Sequence, residues 1–346
     1  MKRRVFLKTV GGAAGAAALC LPEILAADEP VEKVAGMPRR VLGRTGQKVS
    51  VVGFPGLALT KCDQDKGTAA LHDAFERGVN YFDVAPNYGN GDAEIKMGIG
   101  MQGIDRSKYF LSCKTHKRDK EGAQMELERS LKRLKTDHFD LYQLHHLVRP
   151  SEVKEVFGPD GAMEVILQAK KDGKIKYIGY SAHTTKAALL AMQTFQFDTV
   201  MFPINFVEFY NREFGKEVLE LAGKQGAGII AIKPLSWGTW PKDTPKNREW
   251  WYSSVEEPAQ VQLAVRFSLT QKGVATVLPT SYVELLDKTI EAAKQYTPLD
   301  SQGASKLQEM AANRGSIFEG EEKQVALNLP HWTPVYPDSP HEALLG

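Results

Sequence analysis

Eight short apolar runs, each followed by a helix-like stretch, constrain this chain more than any other feature. The runs are 50–54, 80–84, 109–113, 139–144, 175–180, 198–204, 228–232 and 274–278. Helical spacing of apolar residues fills 66–78, 120–135, 161–172, 184–193, 213–225, 258–271 and 282–294. Strands that alternate with helices build a parallel sheet. Near-continuous apolar strands are covered on both faces. Eight such units in roughly 250 residues predict a closed (β/α)8 TIM barrel. An open doubly wound sheet would carry a G-x-G-x-x-G turn after its first strand, and none follows the first run here. Ahead of the barrel, RRVLGRTGQKVSVVGF predicts a hairpin cap at the bottom, with Gly43 and Gly46 near its turn.

Two stretches interrupt the alternation. Residues 236–257 form a long loop after the seventh strand and carry Trp237, Trp240, Trp250 and Trp251. Loops after barrel strands form the rim of the catalytic mouth. Trp237 and Trp240 are therefore candidate substrate contacts, although rings in such a loop also pack it onto the barrel. A C-terminal extension, 298–346, has a helical pattern near 301–313 and then a polar end with Pro330, Pro334, Pro337 and Pro340.

The first 27 residues read as an export signal: a basic start, a Gly/Ala-rich apolar stretch and small residues near Ala26 and Ala27. Arg3-Arg4-Val5-Phe6-Leu7-Lys8 resembles the twin-arginine signature, whose machinery carries folded proteins. The expectation is a periplasmic or otherwise extracytoplasmic protein with no stable membrane span after cleavage. Cys20 follows Leu19, a poor fit to lipoprotein processing. Cleavage removes Lys2, Arg3, Arg4, Lys8 and Glu23, leaving 40 basic against 41 acidic residues. That balance excludes the basic stripe of a nucleic-acid protein. The remaining cysteines, Cys62 and Cys113, are too few for a disulfide framework.

Four polar residues stand where apolar runs stop. Asp83 and Tyr88 close the second unit in YFDVAPNYGNG, Lys114 closes the third and His145 the fourth. In a barrel, strand ends are the catalytic mouth, and neighbouring strands set these groups side by side. A phenol can deliver a proton to a carbonyl oxygen. An adjacent ammonium is expected to lower its pKa, a carboxylate to hold the ammonium, and an imidazole to orient the carbonyl. Each residue alone has a commoner structural role as a cap, a rim contact or a hydrogen-bonded core group. The argument rests on all four together. His116, His145 and His146 lack a carboxylate or cysteine at ligand spacing in the sequence, so no metal is expected.

With these residues in view, the chain resembles the aldo/keto reductase superfamily over about 38–297. RRVLGRTGQKVSVVGFPG is similar to that family's opening hairpin and first strand, FDVAPNYGNGDAE to its Asp-x4-Tyr segment, SLKRLKTDHFDLYQLH to its histidine strand, and GKIKYIGYS to its fifth strand. The resemblance implies NADP or NAD as cofactor and Asp83, Tyr88, Lys114 and His145 as catalytic tetrad, with Tyr88 the general acid. It places cofactor contacts at Ser181, Asn205, Pro234, Leu235, Pro279, Thr280 and Ser281. Two positions depart from the pattern: Ala182 stands for an asparagine and Met201 for a glutamine that hold the carboxamide. The stacking aromatic after the seventh strand is missing, and Trp237 is the candidate replacement. Lys288 is the candidate for gripping a 2′-phosphate. The reading is an exported oxidoreductase interconverting a carbonyl and an alcohol on a small, sugar-like substrate, its nucleotide carried tightly bound. The alternative is a binding or scaffold protein on a degenerate reductase barrel. Replacing Tyr88 by Phe separates the two.

Overall fold

A computed structural model describes residues 30–242, 244–329 and 339. The expected export signal with Cys20, and Pro330, Pro334, Pro337 and Pro340, lie outside the described residues. Three antiparallel strands come first: β1 (Glu32–Val34), β2 (Met37–Val41) and β3 (Lys48–Ser50). The β2–β3 turn matches the expected hairpin, and β1 adds a third strand to it. Gly43 must be glycine, because a Cβ there would meet the Gly228 nitrogen at 2.1 Å. That contact fixes the hairpin against the start of the seventh barrel strand, at the end away from the mouth. Buried Arg40 ties it further by donating to the carbonyls of Leu269 (2.7 Å) and Val274 (2.8 Å).

The barrel strands are β4 (Gly53–Pro55), β5 (Tyr81–Asp83), β6 (Phe110–Thr115), β7 (Phe139–Leu147), β8 (Ile175–Ala182), β9 (Thr199–Pro203), β10 (Gly228–Ile232) and β11 (Val274–Leu278). They pair in parallel in chain order. The Val52–Val277 bridge closes the ring. Helices α1 (Gln64–Glu76), α2 (Asp92–Gly100), α3 (Lys120–Leu134), α4 (Pro150–Val156), α5 (Ala162–Lys171), α6 (Thr185–Thr194), α7 (Phe206–Arg212), α8 (Lys216–Gln225) and α9 (Pro258–Thr270) connect the strands, and α10 (Val283–Lys294) follows the last of them. Sequence periodicity missed α2, α4 and α7, which are short. Strand residues such as Phe82, Leu144, Ile178, Val200 and Ile229 are buried, as strands covered on both faces require.

Beyond α10, the extension forms α11 (Ser301–Ala311) and α12 (Glu319–Ala326). It runs back to the mouth and is pinned there. The buried Glu208 carboxylate accepts from the Ile317 N–H (2.7 Å) and the Ser316 hydroxyl (2.6 Å). Phe318 stacks on Phe214 with centroids 5.0 Å apart. Among the described residues no helix is long and apolar enough to cross a membrane.

Candidate active site

The turn after β5 places Tyr88 by backbone geometry. Gly89, Asn90 and Gly91 all take positive φ. Gly91 has φ +96°, a conformation that favours glycine, and the Arg133 guanidinium packs into the space where its Cβ would be. Arg133 in turn pairs with the fully buried Glu94 at 3.0 Å. The turn is thereby clamped, and the phenol points back over the barrel.

Lys114, fully buried on β6, donates to the Asp83 carboxylate at the end of β5. It also donates to the Val84 carbonyl (3.1 Å) and to the Tyr88 hydroxyl (3.4 Å). Ser112 donates to the other Asp83 oxygen (3.0 Å) and accepts from Gln143 (2.9 Å). His145, from the end of β7, stands edge-on to the Tyr88 ring at 5.7 Å. Burial is the largest single influence and works against the Lys114 ammonium, but Asp83 and Tyr88 together hold its pKa above the ordinary value. For Tyr88 the balance goes the other way. Burial is the larger influence and raises the phenol, although Lys114 pulls it down. Lys114 thus lowers the phenol as expected, but burial outweighs it and the net direction for Tyr88 is upward.

Asp83, Tyr88 and His145 line one cavity at the mouth together with Gly56, Ser181, His183, Met201, Lys233, Trp250, Trp251, Pro279 and Ser281. Three of the expected cofactor positions, Ser181, Pro279 and Ser281, are thus brought to the tetrad. The others are not. Asn205 caps α7, accepting from the Glu208 N–H at 3.1 Å. Pro234 and Leu235 are buried without lining the cavity. Thr280 lies behind it, within 3.2 Å of the Tyr252 hydroxyl and 3.0 Å of Ser254. Lys288 donates to the Glu256 carbonyl at 2.7 Å.

The tryptophans also redistribute. Trp237 donates to the Met310 carbonyl (2.8 Å), and Arg314 lies 3.7 Å over its ring, so it packs on the extension. Trp240 donates to the Trp250 carbonyl (2.6 Å) and holds the loop together. Neither lines the cavity; Trp250 and Trp251 do. The polar loop residues between the two pairs reverse the chain, with a bridge between Ser236 and Ser254, so the later pair faces the mouth.

Lys233 went unnoticed in the sequence as a site residue. It follows β10 with φ +58° and is buried, its Nζ 3.1 Å from His183 Nε2. Burial pulls its pKa down to about 7, against the opposite pull of Glu321. A lysine directly ending an apolar strand was the available signal, the same one that marked Lys114.

Comparison with known proteins bears on this arrangement. Residues 52–259 match the aldo/keto reductase family. The L-galactose dehydrogenase of Arabidopsis thaliana is 27% identical over 294 residues, covering 76% of this chain and 89% of that protein. The D-threo-aldose 1-dehydrogenase of a Pseudomonas species is 22% identical over 253 residues, covering 64% of this chain and 74% of that one. An aldo-keto reductase from Bacillus halodurans in its holo form superposes with a TM-score of 0.65 at 22% identity. It covers 83% of this chain and 99% of its own.

Proposed function

The chain belongs to the aldo/keto reductase family, and from that premise we propose that it is an NAD(P)-dependent oxidoreductase acting on a small, sugar-like carbonyl/alcohol pair. The observation that carries the reading is the contact chain Asp83–Lys114–Tyr88 opening onto a cavity shared with His145. Tyr88 gives its proton to the substrate oxygen as a carbonyl is reduced, and takes one back in the reverse direction. Lys114 stays charged through Asp83 and stabilises the phenolate left behind. His145 offers a ring nitrogen to the same oxygen and fixes which face of the carbonyl is presented. The walls of Trp250 and Trp251 exclude water and accept the apolar face of a sugar ring.

A nicotinamide nucleotide supplies the hydride or receives it. The residues present fit such a group in outline. Ser181 lines the cavity. The N-terminus of α10 has no side-chain cap, and its amides stand next to Pro279 and Ser281, ready for an anionic phosphate. Ala182 and Met201 withdraw two carboxamide contacts. The coenzyme preference between NADP and NAD rests on the remaining pocket.

Two related proteins bear names of sugar dehydrogenases, which favours an aldose or its lactone as the substrate pair. The decisive experiment incubates the full chain with NADH, NADPH and their oxidised forms against a panel of aldoses and lactones. Turnover that Tyr88→Phe removes supports the reading. Tight sugar binding with no turnover, unchanged in Tyr88→Phe, would establish the binding-protein alternative instead, for which Met201 and Lys233 in the cavity wall speak.

We also infer export by the twin-arginine machinery with nucleotide already bound, from the Arg3-Arg4 signature and Gly/Ala-rich stretch. Fractionating cells and assaying the exported protein for released nucleotide tests this. A protein retained in the cytoplasm refutes it.

A further inference from the structure

The mouth holds a second group of polar side chains that the carbonyl chemistry does not use. His146 lies at the end of β7, His183 just beyond β8 and Glu321 on α12 of the C-terminal extension. All three are buried, at 2%, 3% and 5% exposure. Each offers one ligand atom, and these atoms lie within 4.8 Å of one another. We propose that His146, His183 and Glu321 bind one divalent first-row transition ion of the Zn2+ kind, which fastens the extension to the barrel mouth.

The donor set is the first argument. Two imidazoles and one carboxylate are borderline nitrogen and oxygen ligands, the set that suits Zn2+ and its neighbours rather than Ca2+ or Mg2+. Distances are the second. Ligands ~2.0–2.2 Å from a tetrahedral ion stand roughly 3.4 Å apart. His183 Nδ1 and Glu321 Oε2 are 4.0 Å apart, so a small side-chain rotation closes the gap. The imidazoles of His146 and His183 meet edge to face with centroids 4.3 Å apart.

Orientation is the third argument. His183 Nδ1 lies 4.0 Å from Glu321 Oε2, while its other ring nitrogen, Nε2, lies 3.1 Å from Lys233 Nζ, so the ring presents Nδ1 to the carboxylate. His146 is held through its backbone. Its N–H donates to Ser181 Oγ at 2.7 Å, and its carbonyl accepts from Arg118 at 3.0 Å. Its φ of +57° is uncommon for a residue with a side chain, and residues kept in such conformations gather at functional sites. The strand pairing between β7 and β8 shifts register at this point. Phe318, 5.4 Å from His183, forms an apolar wall that shields the site.

The test uses the full chain, stripped with a chelator, dialysed and titrated with Zn2+ alone. One equivalent is expected to bind and to raise the thermal midpoint, and Co2+ in its place is expected to give a visible absorption band. Glu321→Gln keeps side-chain volume, and His183→Ala removes one imidazole. Each is expected to weaken Zn2+ by more than the roughly 10–100-fold that loss of an outer-sphere partner costs. His72→Ala, on α1, is expected to leave binding unchanged. Circular dichroism of the metal-free proteins confirms that each variant is folded, and Glu321→Gln alone decides if His183→Ala is not. A folded wild type that binds no Zn2+ at micromolar concentration overturns the proposal. So does Zn2+ affinity that Glu321→Gln leaves intact.

Discussion

The side of the mouth built by β5, β6 and β7 and the side built by β8 to β11 hold their polar groups in different ways. On the first side, Asp83, Lys114 and His145 stand on barrel strands, and Tyr88 on a turn locked by Gly91 against Arg133. Every partner of Lys114 lies within the second unit. On the second side, His183 faces Glu321 from α12, Lys233 lies under Trp251 and Phe318, and Trp250 and Trp251 come from the loop after β10. Strands fix the acid–base groups with little freedom to shift. Added segments shape the rest of the cavity. A barrel can thus keep one reaction type while its binding wall is rebuilt by loops and extensions.

Replacing Tyr88 by Phe strikes the rigid side hardest. Loss of a positioned general acid typically costs about 10²–10⁴-fold in rate, and turnover in either direction is expected to fall by that range. Nucleotide binding, followed by fluorescence quenching, is expected to persist. Retained turnover would mean that the first side is scaffold and the chemistry lies elsewhere.

Lys114→Met tests whether that side is also a structural anchor. It strands the Asp83 carboxylate in a fully buried place, and breaking a buried pair in this way costs about 3–5 kcal/mol. Urea unfolding should show that loss. Adding Asp83→Asn to the same chain should recover part of it, because no buried charge remains unpaired. Additive losses in the double variant would show that the two side chains do not interact.

The second side can be split by its tryptophans. Trp250→Ala removes a cavity wall, and aromatic contacts are worth about 0.5–1.5 kcal/mol beyond burial, so KM for a sugar substrate is expected to rise roughly 2–10-fold. Trp237→Ala instead removes the bond to Met310 and the contact with Arg314. Its effect belongs in thermal stability and in faster proteolysis of the extension, with KM unchanged. The reverse pattern would restore Trp237 to the substrate wall.

The same division governs what the sequence disclosed. The barrel was legible because each strand is a short apolar run with its own helix, and the tetrad because Asp83 stands at the end of such a run, Lys114 and His145 follow directly on one, and Tyr88 lies in the turn just after. Periodicity failed for α2, α4 and α7, which are only 9, 7 and 7 residues long. The cavity wall was less legible. Asn205, read as a cofactor contact, satisfies a helix end, and a capping asparagine has the same local pattern as a binding one. The two tryptophan pairs could not be told apart without the loop's reversal. The carboxylate facing His146 and His183 was invisible for a plainer reason. Glu321 lies beyond the barrel, and no local spacing connects it to either histidine.

For carbonyl reduction the expected effect of pH is a flat line. Burial raises Tyr88 above its ordinary value, and the charged Lys114 does not reverse this. A group with a raised pKa keeps its proton as pH climbs until that raised value is passed. The kcat/KM for carbonyl reduction should therefore stay level from neutrality to about pH 10, the reference value for a phenol, and fall only beyond it. Alcohol oxidation needs the deprotonated phenol, so its kcat/KM should rise about tenfold per pH unit over the same range without levelling. Tyr88→Phe should remove the slope along with most of the rate. An oxidative profile that levels near pH 7 would show that Lys114 outweighs burial when substrate and nucleotide are in place. The rigid side of the mouth would then owe its reactivity to charge pairing more than to exclusion of water.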